Sequence, residues 1–364
     1  ARLLADLGAD VVKVEPPGGD LARAYGPFPG QVPDPESSGL FIALNAGKRG
    51  IVLDVGTADG RAALLDWVAR ADILVTNVPL AERLRLRLDP ECLAGCVPDL
   101  ITVGLSVFGE TGPAAQVPQT ALDAYAVGGV AHAIGAPGRA PLILPFHQAD
   151  FQAGAHGAAA ATLALVARRR IGVGQNVDVA SADVMASAAG TNAMIYTPYG
   201  LKWERAGRRA FGSGGPYPYT ILPCKDGSVC LIGRSRQEWA RLVEAMGHPE
   251  WTELPRYRNL QAMGRDYPDE VDALVTPWLM QHTRAELLSF AARYNFPLGP
   301  LRTVDEVVAT SQFAQRDFFR EIPHDGCGYV RAPGVPWSFG EANPPPRSAP
   351  RLGEHSVTPR EVWA

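Results

Sequence analysis

"LLADLGADVVKVEPPGGD" (residues 3–20) compresses a helical phrase, a turn at Gly8, a short β run at 11–14 and a stop at Pro16-Pro17 into one stretch. That succession is the second half of a βαβ unit. A βαβ unit begins with a strand, whereas the sequence begins at Ala1, already inside the helical phrase; either the fold lacks its first strand or this sequence does. Outward from this stretch, β-like runs at 50–54, 72–75 and 100–105 alternate with helical patterns at 59–70 and 90–94. Short apolar strands alternating with helices predict an α/β fold with a mainly parallel sheet covered on both faces.

A small-residue helix over 154–169 follows, then "GQNVDVASADV" (174–184), read as a turn, a strand and a return into helix. Beyond residue 206 the texture changes. "AGRRAFGSGGPYPY" reads as loop, and "TILPCKDGSVCLIG" as two β runs joined at Lys225-Asp226-Gly227. Helical patterns at 237–246, 270–282 and 284–294 complete a small α+β unit. The expected organisation is a large α/β domain at 1–200, a glycine-containing linker at 201–215, a small domain at 216–320 and an extended Pro/Gly-rich segment at 321–364.

Over 364 residues the formal net charge is -4, and Lys and Arg are scattered except for Arg168-Arg169-Arg170, placed where cations suit a helix C-terminus. This balance argues against nucleic acid as a partner. The five cysteines lack any paired CxxC spacing, so neither a disulfide framework nor a zinc site is indicated, and a reducing cytoplasm is expected. The longest apolar stretch, 153–167, is short and interrupted by His156, as in a buried helix rather than a membrane span.

Seven phrases in fixed order carry a resemblance over the whole chain: "ADLGADVVKVEPPGGDLAR", "LNAGKRGIVLDVGTADGR", "ADILVTN", "VFGETGP", "RRRIGVGQNVDVASAD", "PLGPLRTVDEV" and "APRLGEHS". Together they resemble the family III CoA-transferases, a group that includes formyl-CoA transferase, carnitine CoA-transferase and α-methylacyl-CoA racemase. The resemblance implies a Rossmann-like large domain, a small domain, and two chains interlocked as a homodimer. It also implies that about twenty residues forming the first strand and its loop precede "LLADLGA". The implied partners are an acyl-CoA and a carboxylic acid, with coenzyme A as substrate and no metal or redox cofactor.

In "HQADFQAGAHG" (147–157), Asp150 stands where the family's catalytic aspartate stands. Read alone, an Asp just ahead of a helix is an N-cap. Read with the resemblance, it is the nucleophile that forms an aspartyl anhydride and then an aspartyl-CoA thioester. By motif position Leu53, Asn77 and Arg85 match places lining the CoA site, Asn77 toward the adenosine and Arg85 toward the phosphates. Their plain readings are a core strand residue for Leu53 and, among Arg83 and Arg87, an ordinary solvated face for Arg85. Gly212, Gly214 and Gly215 of "GSGG" resemble a glycine loop covering the active site; a flexible interdomain linker reads equally well.

The chain departs from the family in carrying Gly56 where a lysine is usual, and Gln119-Thr120-Ala121-Leu122 where many members read "GYDL". The racemases carry a His-Asp phrase there, so its absence weighs against racemisation, leaving His132, His147 and His156 as possible replacements. Two further readings stand beside the transferase. Glu15 with Gly18-Gly19 resembles the ribose grip of a nucleotide-binding oxidoreductase, and the departures would suit a helper subunit of a heteromeric transferase.

Overall fold

The opening stretch folds as helix Arg2–Asp6, a turn at Gly8 and strand β1 (Val12–Glu15). The computed structural model describes residues 1–209, 215–233, 235–326, 328–338 and 345–356. Strand β2 (Arg49–Val52) runs parallel to β1, and β3 (Ile73–Thr76), β4 (Ile101–Ser106) and β5 (Asn176–Ala180) form a parallel sheet with β4 in the centre. The expectation of one parallel sheet is thereby corrected: no described strand hydrogen-bonds to both the β1–β2 pair and the β3–β5 sheet.

Local signals account for the helix starts. Thr57 caps the helix Ala58–Val68, accepting from the Gly60 N–H, and Asp89 caps Pro90–Cys96 with proline at its first position. Ser235 with Glu238, and Thr283 with Glu286, close reciprocal capping boxes on Arg236–Ala245 and Arg284–Tyr294.

By spatial contact the chain divides into two units: Ala1–Ala124 with His147–Val184 and Val307–Ala364, and Tyr125–Phe146 with Met185–Glu306. In this partition Tyr125–Phe146 falls with the second unit, and Val307–Ala364, whose C-terminal part the family resemblance implied would return to the large domain, falls with the first. In the second unit β6 (Tyr219–Cys224), β7 (Gly227–Ile232) and β8 (Leu298–Pro300) form an antiparallel sheet, with the expected turn at Lys225-Asp226. Its core joins Leu222, Val229 and Leu231 of the sheet to Trp239, Leu242, Val271, Val275, Leu279 and Leu287 of the helices. In the first unit β9 (Phe319–His324) and β10 (Gly328–Pro333) pair as a hairpin where an extended segment was expected. Its Ile322 and Ala332 bury against Ile42 and Ala46 at the helix Gly39–Asn45. The segment 345–356 then lies on β2: Gly47 N–H donates to Ser348 O at 3.0 Å, and His355 N–H donates to Gly50 O at 2.8 Å.

Glu15, at the end of β1, organises the turn that follows. Its carboxylate accepts from Arg23 Nε and Nη2 at 2.7 and 2.8 Å and from the Asp20 N–H at 2.9 Å. Arg23 also donates to Glu36 and to Pro350 O, both at 3.1 Å, and lies 3.7 Å from the Phe41 ring centroid. A carboxylate buried behind these internal donors is out of reach of a ribose, which removes the oxidoreductase reading of Glu15.

Candidate active site

Asp150 belongs to the helix Gln148–Ile171, which begins six residues before the expected start at 154. The N-cap is His147, so the reading of Asp150 as the cap is corrected: it is the third helical residue, where a carboxylate suits the helix dipole. The earlier start follows from packing. Ala149 and Ala153 extend the buried stripe of Gly157, Ala161 and Ala164 by two turns.

That stripe lets the helix lie close on β4. A Cβ at Gly157 would come within 3.1 Å of Leu105 Cδ2. Near the other end of the helix, Arg168 donates to Asp72 at 2.5 Å and to Asp99 O at 2.9 Å, residues just ahead of β3 and β4. The helix therefore runs antiparallel to β4, and its first turn, with Asp150, lies toward the carboxyl ends of the parallel strands. In open parallel sheets that edge is where ligands bind.

The Asp150 side chain keeps 57% of its exposure, and its closest ionisable neighbour is His147, whose Nδ1 lies 3.7 Å from Oδ2. No hydrogen bond to the carboxylate is present among the described residues. The protein around it withdraws enough water to raise the carboxyl above its ordinary value, and the His147 charge opposes that rise. The His147 ring meets Tyr25 edge-on at 6.0 Å and Phe151 at 6.2 Å. The Tyr25 backbone is anchored: its carbonyl accepts from the hydroxyl of Ser38, a fully buried N-cap.

The loop after β4 is held from three sides. Gln119 Oε1 accepts from the Val107 and Phe108 N–H groups, both at 3.1 Å, while its Nε2 donates to Ala114 O at 2.9 Å. Asp178 on β5 accepts from the Glu110 N–H at 2.7 Å, and Arg83 pairs with the Glu110 carboxylate. The Glu110 oxygen reaches over Gly104 so closely that any side chain there would collide with it.

Leu53 follows the carboxyl end of β2 and donates its N–H to Glu15 O at 2.9 Å. Asn77 follows the carboxyl end of β3 and is exposed. Arg85 lies on the helix Leu80–Leu86 with its exposed guanidinium on Glu82 at 2.8 and 2.5 Å. These three and Asp150 share one unit, and no hydrogen bond or ion pair joins any two of them among the described residues. Gly212 and Gly214 lie outside the described residues; Gly215 lies in the second unit, its carbonyl so close to Gly264 that no larger residue fits there. Of the other histidines, His156 sits exposed on the helix with its ring on Gln152 O at 2.9 Å, and His132 lies in the second unit, 3.4 Å from Glu204.

Sequence reasoning missed Tyr25, Ser38, Phe151 and the Asp178–Glu110–Arg83 group. Ser38 carried a usable signal, a serine just before an apolar run; Tyr25 carried none. Among the described residues no His/Cys/Asp/Glu cluster is arranged to hold a metal, and no helix is long and apolar enough to cross a membrane.

Comparison with known proteins places the site in a family context. Residues 1–356 match CoA-transferase family III. The chain is 32% identical over 370 residues to the succinyl-CoA:(R)-benzylsuccinate CoA-transferase subunit BbsE of Thauera aromatica, covering 98% of this chain and 88% of that protein. It is 30% identical over 371 residues to the acetyl-CoA:oxalate CoA-transferase of Acetobacter aceti, covering 100% and 90%. Among solved structures, a CaiB/BaiF family protein from Brucella suis superposes with a TM-score of 0.85 at 30% identity, covering 100% of this chain and 94% of that one.

Proposed function

The chain belongs to CoA-transferase family III, and from that premise we propose that it moves CoA between an acyl-CoA and a carboxylic acid through covalent intermediates on Asp150. The carrying observation is the carboxylate itself: half-exposed at the carboxyl edge of the parallel strands, free of hydrogen bonds among the described residues, and raised by desolvation. A nucleophile must be reachable and not over-stabilised, and both conditions hold here.

In the proposed sequence, an Asp150 oxygen attacks the donor thioester carbon, the C–S bond breaks, and CoA leaves as thiolate from an aspartyl-acyl anhydride. The thiolate then attacks the aspartyl carbon, expelling the donor acid as its carboxylate and leaving an aspartyl-CoA thioester. The acceptor carboxylate attacks that thioester to form a second anhydride. CoA thiolate attacks the acceptor's carbonyl, and Asp150 returns to its carboxylate. Each attack places negative charge on an oxygen, which backbone amides aimed at it would stabilise. Leu53, Asn77 and Arg85 would hold CoA, Arg85 by exchanging Glu82 for phosphate.

Intact-mass spectrometry after mixing with acetyl-, succinyl-, crotonyl- and a methylacyl-CoA tests this reading. An acyl or CoA adduct in the parent that is lost in Asp150→Asn supports it; the same adduct in both proteins overturns it.

The 3.7 Å approach of His147 to Asp150 favours one second reading, α-epimerisation of an acyl-CoA with the two groups as proton carriers. Deuterium uptake at the acyl α-carbon in D2O, without CoA transfer, would select it. For assembly the proposal is an interlocked homodimer, supported by large apolar side chains left exposed: Leu163, Val166 and Ile171 on the long helix, and Met194 and Tyr199 on Gly190–Tyr199. A monomer by light scattering would overturn it, and co-purification of a second, related chain would favour a heteromer with this chain as helper subunit.

A further inference from the structure

We propose that His147 is a positioning residue for the nucleophile, an electrostatic partner that keeps Asp150 ionised and charged species held beside it; this rests on the reading of Asp150 as nucleophile. The geometry is specific to this turn of helix. His147 is the N-cap and Asp150 the third helical residue, so the spacing of three places both side chains on one face. His147 Nδ1 points at Oδ2 from 3.7 Å. Its ring meets those of Tyr25 and Phe151 in two edge-on contacts, and the Tyr25 backbone is anchored by the Ser38 hydroxyl.

Among the described residues no lysine or arginine forms an ion pair with Asp150, and a phenol, that of Tyr25, is carried by one of the two rings that meet His147. Arg23, the nearest cation on Tyr25's own segment, is committed to Glu15 and Glu36. His147 is also the one identified influence that favours the ionised carboxyl, against the desolvation that disfavours it. When Asp150 attacks, its negative charge passes to the tetrahedral oxygen and then to the departing thiolate. The imidazole beside the starting carboxylate stays close to each of them.

The role predicts a signature that a packing residue would not produce. In the parent, the acid limb of kcat/KM for CoA transfer reports ionisation of Asp150. With His147→Gln, which keeps a polar side chain without charge, that limb should move up by about half a pH unit, the size expected for a half-exposed pair. The loss is then about threefold below the limb and fades above it. His147→Arg should return the limb toward the parent's position. A limb that stays put in His147→Gln, with equal loss at every pH, overturns the proposal in favour of packing. Deuterium exchange at the acyl α-carbon that vanishes with His147→Gln overturns it in favour of a proton carrier. Failure of the underlying reading shows differently: Asp150→Asn would then keep its covalent adduct and its activity.

Discussion

Glu15→Gln is the substitution that most directly probes how the opening motif holds the first unit together. Glu15 and Arg23 are 1% and 3% exposed, and the carboxylate takes both guanidinium bonds and the Asp20 N–H. Glutamine keeps the shape and loses the charge, and its amide must turn a donor toward Arg23 or Asp20. Arg23 is left buried with Glu36, itself 39% exposed, as its only carboxylate. Breaking a buried pair from one side costs about 3–5 kcal/mol, against a whole-domain stability of about 5–15 kcal/mol. At about 2–4 °C per kcal/mol for a unit of this size, the melting temperature should fall by roughly 10 °C. Because Arg23 also donates to Pro350 O, and Glu36 accepts from the Leu352 N–H, amide exchange should accelerate across 345–356 as well. Melting curves for parent, Glu15→Leu, Arg23→Met and the double variant complete the test. The double should cost at least about 2 kcal/mol less than the sum of the singles, since apolar replacements leave no stranded charge. A Glu15→Gln protein melting with the parent, or strictly additive costs, would refute the reasoning.

In the second unit Asp272, 2% exposed, accepts from Arg208, Arg209 and the Tyr217 hydroxyl. Asp272→Ala should cost about 3 kcal/mol or more in thermal melting and Asp272→Asn less; equal melting of Asp272→Ala and parent would show the cluster to be incidental. Lys48 is held down to about 7 by burial first and then by Lys13 and Arg2. A lysine lowered on folding binds fewer protons folded than unfolded, so its penalty is full below about pH 7 and fades toward the ordinary lysine value of about 10.4. Lys48→Met should therefore melt above the parent at pH 7, with the gain shrinking by pH 10; a gain independent of pH would contradict the shift.

Strands β1 to β7 and most of the helices of eight or more residues were legible because their signals are local: apolar runs, caps and turn residues within a few positions of one another. What escaped was set by distant partners. The hairpin 319–333 contains Pro323 and Pro333, which read as breaks, yet Ile322 and Ala332 find their burial against the helix Gly39–Asn45. The helix carrying Asp150 starts early because Ala149 packs inside, whereas its N-cap, His147, makes no side-chain capping bond that the sequence could announce. The position of Asp150 was legible through its motif. Its neighbour His147 was legible as a candidate too, whereas Tyr25 was not, since it reaches the His147 ring through a turn built by Glu15, Arg23 and Ser38.

The departure at Gln119 acquires a physical meaning in this setting. Its side chain consumes the Val107 and Phe108 N–H groups, and Asp178 consumes that of Glu110, so these amides of the loop after β4 are committed to the loop's own shape. Backbone donors already engaged cannot be aimed at a developing oxyanion without breaking what holds them. The loop is thus a rigid border to the carboxyl edge of the sheet, and the response to charge at Asp150 falls to groups outside it. Within the first unit that response begins with His147, one helical turn away, which is why a substitution there should be read in the pH profile before it is read in the melting curve.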